Sequence, residues 1–163
     1  MILIALGANL DHPRYGKPRT TLEAALQALQ DYGVDILARS RWYRSAPVPP
    51  SGQPWYVNGV AAVETRLSPE ELLAKLHEIE ADFGRTRSER NEARVLDLDL
   101  LAYDERVSAP GESPILPHPR LAERAFVVLP LAEVAPGWRH PVSGASVEQL
   151  TARLVPAETL EAL

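Results

Sequence analysis

Asp97 and Asp99 are separated by one residue and could act together on one ligand. They lie in the segment Val-Leu-Asp-Leu-Asp-Leu-Leu (residues 95–101), whose aliphatic residues are typical of a β-strand. Strand side chains alternate between two faces, so both carboxylates project from one face, roughly 6.5 Å apart. Two like charges on one face repel each other, whereas hard oxygen ligands suit Mg²⁺. The pattern predicts a magnesium site; the alternative is ordinary ion pairing on the solvated face of an edge strand.

An arginine-rich segment precedes this strand and contains Arg85, Arg87, Arg90 and Arg94. The planar guanidinium group binds phosphate through two parallel hydrogen bonds. Carboxylates for a metal beside guanidinium groups for phosphate indicate phosphoryl or nucleotidyl transfer. In the alternative interpretation, the same arginines are simply the ion-pair partners of the two aspartates.

Tyr56 and Asn58 are two residues apart on another predicted strand, beside a proline-rich loop. They therefore share a face. An aromatic ring for stacking, next to an amide that both donates and accepts hydrogen bonds, suits recognition of a flat heterocycle. The alternative is a tyrosine that fills the edge of the core and an asparagine that ends the strand.

Three further polar residues are candidates for a site. His118 is held between two prolines (residues 116–119), which suits a contact to a phosphate or leaving group, although a packed structural histidine fits equally well. His77 and Glu80 lie one turn apart on a predicted helix, off its apolar stripe, where side chains are ordinarily solvated.

Apolar alternation and turn residues predict the elements that position these side chains. The predicted strands are Ile2–Leu6, Val34–Tyr43, Tyr56–Glu64 and the aspartate segment, followed by a turn and a short return strand near Arg106 and Val107. The predicted loops are Ser45–Pro54 and Ser108–Pro117, both rich in proline.

Capping residues predict where the helices begin and end. The signals are capping-box spacing at Thr20–Glu23 with a stop at Gly33, then Ser68, Pro69 and Glu71 with a stop at Gly84, a segment from Leu121 to Val134 bent at Pro130, and Ser146 with Gln149. The resulting order, β-α-β-β-α-β, predicts an α+β fold in which helices pack on an antiparallel sheet.

Length and composition narrow the class of protein. The 163 residues, 45% hydrophobic and 24% charged, predict one soluble domain over residues 1–163. No apolar run approaches the ~20 residues of a membrane span, and the first residues lack signal-peptide features, so we expect no membrane partner and a cytoplasmic location. The absence of cysteine excludes disulfides and thiolate sites, and the net charge of −5 argues against nucleic-acid binding.

Seven short motifs together resemble one known family, the 6-hydroxymethyl-7,8-dihydropterin pyrophosphokinases of folate biosynthesis. The motifs, in order, are Leu6-Gly7-Ala8-Asn9-Leu10, Tyr43-Arg44-Ser45, Gln53-Pro54-Trp55-Tyr56-Val57-Asn58, Gly84-Arg85-Thr86-Arg87, Arg94-Val95-Leu96-Asp97-Leu98-Asp99, Pro117-His118-Pro119-Arg120 and Arg124-Ala125-Phe126. The likeness runs from about Ile2 to Pro136.

The resemblance implies a ferredoxin-like βαββαβ core with a C-terminal α extension. It implies transfer of pyrophosphate from ATP to the pterin hydroxymethyl group, with release of AMP. We expect a monomer that acts on these small molecules. Asp97 and Asp99 are expected to hold two Mg²⁺ ions that bridge the ATP phosphates. Together with Arg85 and Arg94 they are the expected catalytic residues.

The resemblance also implies substrate contacts. Tyr56 and Phe126 are expected to sandwich the pterin ring, while Asn58, Ser45 and backbone groups around Pro47 and Val48 bind its edge. The residues expected to engage ATP, in addition to the catalytic ones, are His77, Glu80, Arg87, Arg90, Leu98, His118 and Arg124.

The chain departs from the family pattern at two points. The loop in which relatives often have Arg-Trp-Gly-Pro-Arg is one residue shorter in this chain. It reads Arg90-Asn91-Glu92-Ala93-Arg94 and lacks the aromatic residue. Pro119 stands where many relatives have an aromatic residue. We interpret both as changes in loop dynamics or affinity.

Two other functions stay open at this point. A small βαββαβ domain can bind single-stranded RNA through aromatic residues of its sheet, for which Tyr56 and Tyr103 are available. A metal-dependent phosphohydrolase could use the same carboxylates and would consume ATP without a pterin.

Overall fold

The computed structural model describes residues 1–46, 52–84, 94–154 and 160–163. These residues form six strands, four α-helices and one short 3₁₀ helix, Leu121–Glu123, joined by loops and turns. The strands are β1 (Ile2–Ala8), β2 (Asp35–Arg39), β3 (Tyr43–Ser45), β4 (Tyr56–Glu64), β5 (Asp97–Tyr103) and β6 (Leu160–Ala162). The helices are α1 (Pro18–Asp31), α2 (Pro69–Asp82), α3 (Ala125–Val134) and α4 (Val147–Ala152).

All six strands join one antiparallel sheet in the order β5-β1-β4-β3-β6, and β2 also pairs with β4. Each long helix connects two strands that are not neighbours. Helix α1 links β1 to β2 across β4, and α2 links β4 to β5 across β1. The predicted α+β architecture, an antiparallel sheet with helices packed on it, is confirmed.

Alternation along the central strands gives the sheet two apolar faces. In β1, Ile2, Ile4 and Leu6 belong to a core shared with α1 and α2, whereas Leu3 belongs to a second core shared with α3 and α4. The helices α1 and α2 therefore cover one face, which we call the helix face. The other face is only partly covered, by α3, α4 and the 3₁₀ helix, and it carries the polar residues described below; we call it the site face.

Several local predictions are confirmed. Strand β4 has the predicted bounds, Tyr56–Glu64. Helix α2 begins after a complete capping box between Ser68 and Glu71, and Gly84 follows its end with a φ of 92°. The predicted cap of Ser146 and Gln149 precedes α4.

Helix α1 begins earlier than predicted, because its capping residue is Lys17 and Pro18 is its first residue. Glu23 does not cap this helix; its carboxylate binds Arg39 and the indole N–H of Trp42. The predicted strand Val34–Tyr43 is two strands, β2 and β3. They separate at Ser40, whose hydroxyl oxygen accepts a hydrogen bond from the Val60 N–H.

The return strand predicted near Arg106 and Val107 is wrong. Arg106 N–H instead donates to the Tyr103 carbonyl, which closes a turn. The predicted helix Leu121–Val134 is divided at Arg124 into the 3₁₀ helix and α3, and Pro130 lies inside α3. Strand β6 had no sequence signal; it pairs with β3 at the edge of the sheet.

Candidate active site

The two aspartates lie at the start of β5 and point toward the site face. Asp97 is the strand partner of Gly7, and Asp99 is the partner of Ala5. The residues of β1 beside the carboxylates are thus among the smallest available, so little side-chain volume covers the sheet there. Gly7 is in turn the partner of Asn58 in β4. Because adjacent strands lie about 4.8 Å apart, Asn58 is about 10 Å from Asp97 across the sheet.

Each carboxylate faces an arginine. Arg94 Nη1 lies 2.9 Å from Asp97 Oδ2, and Arg124 Nη1 lies 4.0 Å from Asp99 Oδ2. Strand β5 is an edge strand, as the alternative interpretation of the aspartates required. However, the carboxylates are not freely solvated, since the Asp97 and Asp99 side chains are 21% and 32% exposed.

Arg94 also has a buried polar atom in need of a partner. Its Nε is buried and has no hydrogen-bond partner among the residues that the structure describes. A buried N–H donor without an acceptor is unfavourable. An oxygen of a bound phosphate would satisfy it.

His118 and Arg124 complete the polar cluster around the aspartates. The pKa of His118 is lowered by burial and by the positive charges of Arg124 and Arg120, which outweigh the opposing effect of Asp97. Its imidazole is therefore largely neutral at pH 7, and its Nδ1 accepts a hydrogen bond from the Arg120 N–H, which leaves Nε2 as the donor. Burial likewise lowers the pKa of Arg124, with Asp99 opposing it.

A polar edge for a heterocycle lies across the sheet from the aspartates. Asn58 is buried, and its Nδ2 donates to Ser45 Oγ at 2.8 Å. Tyr56, partly buried, is the strand partner of Ser45. Phe126, in the first turn of α3, is also partly buried, and the Arg124 guanidinium lies 5.4 Å from its ring centre. The structure thus brings Ser45, Tyr56 and Asn58 onto the face that carries the aspartates.

Glu80 and Leu98 contribute to the other side of β5. Glu80 is 1% exposed, and its Oε2 accepts the Leu98 N–H at 2.8 Å, between the two aspartates. The ordinary expectation that Glu80 is solvated is therefore wrong. His77 is exposed, as expected for a residue off the apolar stripe. The Leu98 side chain is buried in the core of the helix face.

Asn9 is a buried polar residue to which the sequence assigned no role. It follows β1 directly and forms hydrogen bonds to the backbone or side chains of Gln53, Pro54 and Arg94. Its only sequence signal was its place in the Leu-Gly-Ala-Asn-Leu motif after a buried strand. Five of the predicted site residues lie outside the described residues: Pro47, Val48, Arg85, Arg87 and Arg90.

The donor set fits magnesium. Within residues 1–46, 52–84, 94–154 and 160–163, no group of three or more His, Asp or Glu side chains could hold a metal ion. Mg²⁺ differs from cations that need a protein cage: it usually takes one or two carboxylates, waters and substrate phosphates. Asp97 and Asp99 supply two such carboxylates.

None of the helices in the described part of the chain has the length and apolar character needed to cross a bilayer.

An antiparallel sheet that presents two carboxylates among arginine and histidine side chains is typical of an enzyme that handles phosphorylated substrates. The family model of 7,8-dihydro-6-hydroxymethylpterin-pyrophosphokinase (HPPK) matches residues 3–136. The chain therefore belongs to the HPPK family.

Relatives over nearly the whole chain agree with this membership. The chain is 39% identical over 163 residues to the 2-amino-4-hydroxy-6-hydroxymethyldihydropteridine pyrophosphokinase of Pseudomonas aeruginosa, covering 99% of this chain and 96% of that one. It is 40% identical over 148 residues to the enzyme of the same name from Synechocystis, covering 91% and 73%.

A solved structure has the same fold. The Plasmodium falciparum HPPK-DHPS protein matches with a TM-score of 0.72 at 14% identity, over 93% of this chain and 44% of that longer chain. At this identity the likeness concerns the fold alone.

Proposed function

We propose that the site face binds ATP and 6-hydroxymethyl-7,8-dihydropterin side by side and transfers pyrophosphate between them. The hydroxymethyl oxygen attacks the β-phosphorus and gives up its proton to solvent, the bond from that phosphorus to the α,β-bridging oxygen breaks, and AMP leaves. This is the reaction of folate biosynthesis for which the family is named. The observation that carries the site assignment is the strand register Asp97–Gly7–Asn58. It places the proposed metal-binding carboxylate and the proposed pterin-binding amide on one face of the sheet.

On the phosphate side, Asp97 and Asp99 would hold two Mg²⁺ ions, which supply charge neutralisation and orientation of the phosphates. Arg94 and Arg124 bind phosphate oxygens. The buried Nε of Arg94, which has no hydrogen-bond partner within the described part of the chain, supports this role. His118 donates a hydrogen bond from Nε2 without adding charge. His77 and the Leu98 backbone, whose N–H is held by the buried Glu80, would add further ATP contacts. Outside the described residues, Arg85, Arg87 and Arg90 complete the set.

On the pterin side, Tyr56 and Phe126 stack on the ring and Asn58 and Ser45 bind its edge, together with backbone groups at Pro47 and Val48. An amide whose Nδ2 is already fixed by Ser45 presents its Oδ1 in one orientation. A fixed acceptor favours one binding mode of the pterin. In-line attack then depends mainly on the positioning of the two substrates.

The domain organisation, the oligomeric state and the cellular location belong to the same proposal. We propose a single domain with a ferredoxin-like core, in which β5-β1-β4-β2 form the split βαβ order and α4 and β6 extend the C-terminus. We propose that the chain acts as a monomer in the cytoplasm, on small molecules and not on nucleic acid.

Product analysis tests this function. The chain is incubated with Mg²⁺ and ATP, with and without the reduced pterin, and the nucleotides are separated by chromatography. We expect AMP in amounts equal to the pterin pyrophosphate formed, and only when pterin is present. ADP with free phosphate in the absence of pterin would identify a phosphohydrolase instead.

A further inference from the structure

Asn9 forms a hydrogen-bonded clasp between two distant parts of the chain. Its side chain lies at the end of β1 and is buried, with the residue 2% exposed. Nδ2 donates to Gln53 Oε1 and to the Pro54 carbonyl oxygen, both at 3.1 Å, and Oδ1 accepts the Arg94 N–H at 2.8 Å. Both donors and the acceptor of the carboxamide are thus used. We call this set of contacts the Asn9 clasp.

The backbone strengthens one arm of the clasp. The N–H groups of Asn9 and Leu10 both donate to the Arg94 carbonyl oxygen, at 3.0 and 3.2 Å. Arg94 is therefore bonded at both its N–H and its carbonyl. These hydrogen bonds fix the Arg94 backbone relative to β1, independently of the contact between its guanidinium and Asp97.

The two arms hold opposite sides of the active site. Gln53 and Pro54 lead directly into Tyr56 and the strand that carries Asn58, on the pterin side. Arg94 bonds Asp97 Oδ2 at 2.9 Å, on the phosphate side. One planar carboxamide thus determines the spacing between the entry to the pterin site and an arginine of the phosphate site.

We propose that Asn9 is a positioning residue that couples pterin binding to ATP binding. The inference rests on the proposed function, since it assigns the two arms to the two substrates. When the pterin orders Gln53 and Pro54, the shared Asn9 carboxamide is held in the position that Arg94 needs to bind ATP. When ATP orders Arg94, the same carboxamide is held in the position that favours pterin binding. Loss of the carboxamide should therefore weaken the binding of both ATP and the pterin.

The chemistry of the side chain makes this specific to asparagine. Aspartate keeps the acceptor for Arg94 N–H but has no N–H for the Pro54 carbonyl, and a buried pair of acceptors repels. Alanine leaves the Arg94 N–H and the Pro54 carbonyl without this partner. Gln53→Ala removes the acceptor for one Asn9 N–H from the pterin arm and leaves the Arg94 arm intact.

Steady-state kinetics and direct binding test the proposal on the full chain. For Asn9→Ala we expect kcat/KM to fall about tenfold or more for each substrate. Isothermal titration with an α,β-methylene ATP analogue and Mg²⁺ should show weaker binding as well. For Gln53→Ala we expect a higher pterin KM with ATP affinity near that of the wild type.

The control separates positioning from stability. Ser68→Ala removes the cap of α2, far from the site, and is expected to lower the melting temperature with kinetics unchanged at 25 °C. If Asn9→Ala lowers only the melting temperature, or affects only one substrate, the coupling role is wrong. Should Asn9→Ala not fold, Asn9→Ser decides by the same criteria.

Measurements on the wild-type protein distinguish a failure of the proposed function from a failure of the Asn9 clasp. If the wild type forms no AMP from ATP and pterin, the proposed function fails. If the wild type forms AMP and the Asn9 variants retain wild-type constants for both substrates, only the clasp fails.

Discussion

A single small residue separates the aspartate side of the site from the Asn58 side. Gly7 stands between Asp97 and Asn58 in the strand register. A Cβ at Gly7 would lie 2.8 Å from Asn58 Oδ1, closer than real Cβ contacts allow. Asn58 cannot easily yield, because it is buried and its Nδ2 is bonded to Ser45. The absence of a side chain at residue 7 thus leaves room for the Asn58 amide, which we propose binds the pterin.

Gly7→Ala should for this reason act as a mild version of Asn58→Ala. We expect the pterin KM to rise roughly tenfold, equal to about 1.4 kcal/mol, with the KM for ATP little changed. The melting temperature should fall only modestly, since the clash is with one side-chain atom. The measurement is steady-state kinetics with each substrate varied in turn. Equal weakening of ATP and pterin in Gly7→Ala would contradict the assignment of Asn58 to the pterin.

At the scale of elements, an ion pair ties α1 to the sheet. Glu23 in α1 accepts two hydrogen bonds from Arg39 of β2, both 2.6 Å, and one from the Trp42 indole. The hydrogen bond from Arg39 is the main reason that the pKa of Glu23 is lowered to about 2. Both side chains are more than a third exposed, so solvent screens much of this interaction.

Glu23→Gln should lower the free energy of unfolding by about 1 kcal/mol or less at pH 7. A carboxyl group with a lowered pKa in the folded state stabilises that state above its unfolded pKa, near 4.5. The difference between wild type and variant should therefore be constant above about pH 4.5 and shrink as the pH falls toward about 2. Urea unfolding across this range measures it, with Glu64→Gln as the control. A difference that persisted unchanged at low pH would contradict the ion-pair origin.

Elements with local signals were predictable from the sequence, and those that depend on distant contacts were not. The capping box at Ser68 and the alternation in Tyr56–Glu64 are local, and both gave correct bounds. The break between β2 and β3 depends on Ser40, whose partner is 20 residues away. The Asn9 contacts join residues 44 to 85 positions apart, which no local pattern encodes.

The candidate site divides in the same way. The period-two spacing placed Asp97 with Asp99, and Tyr56 with Asn58, on shared faces, and the strand register brings both pairs to one face of the sheet. The burial of Glu80 beneath β5 did not follow from its position off the apolar stripe, because its partner is the backbone of another element.

At the scale of the whole molecule, one sheet supplies both cores. The same strands contribute Leu6 to the helix face and Leu3 to the site face. Neither core can lose its strands without exposing the other. The two should therefore unfold together.

Leu72→Ala in the helix-face core and Leu131→Ala in the site-face core test this cooperativity. Both side chains are completely buried, so each change should lower the free energy of unfolding by about 2–5 kcal/mol. Each variant should still give one transition, at the same denaturant concentration by tryptophan fluorescence and far-UV circular dichroism. Two separated transitions would mean that the faces are independent units.

The most direct test of the central claim concerns the two aspartates as magnesium ligands in pyrophosphate transfer. AMP formation from ATP and the pterin is measured across a Mg²⁺ titration for wild type, Asp97→Asn and Asp99→Asn, with the exposed Asp35→Asn as the matched control. We predict wild-type turnover for Asp35→Asn, and a loss of roughly 100-fold or more for the other two, with far-UV circular dichroism unchanged. Turnover near that of the wild type in Asp97→Asn or Asp99→Asn at saturating Mg²⁺ would contradict the account.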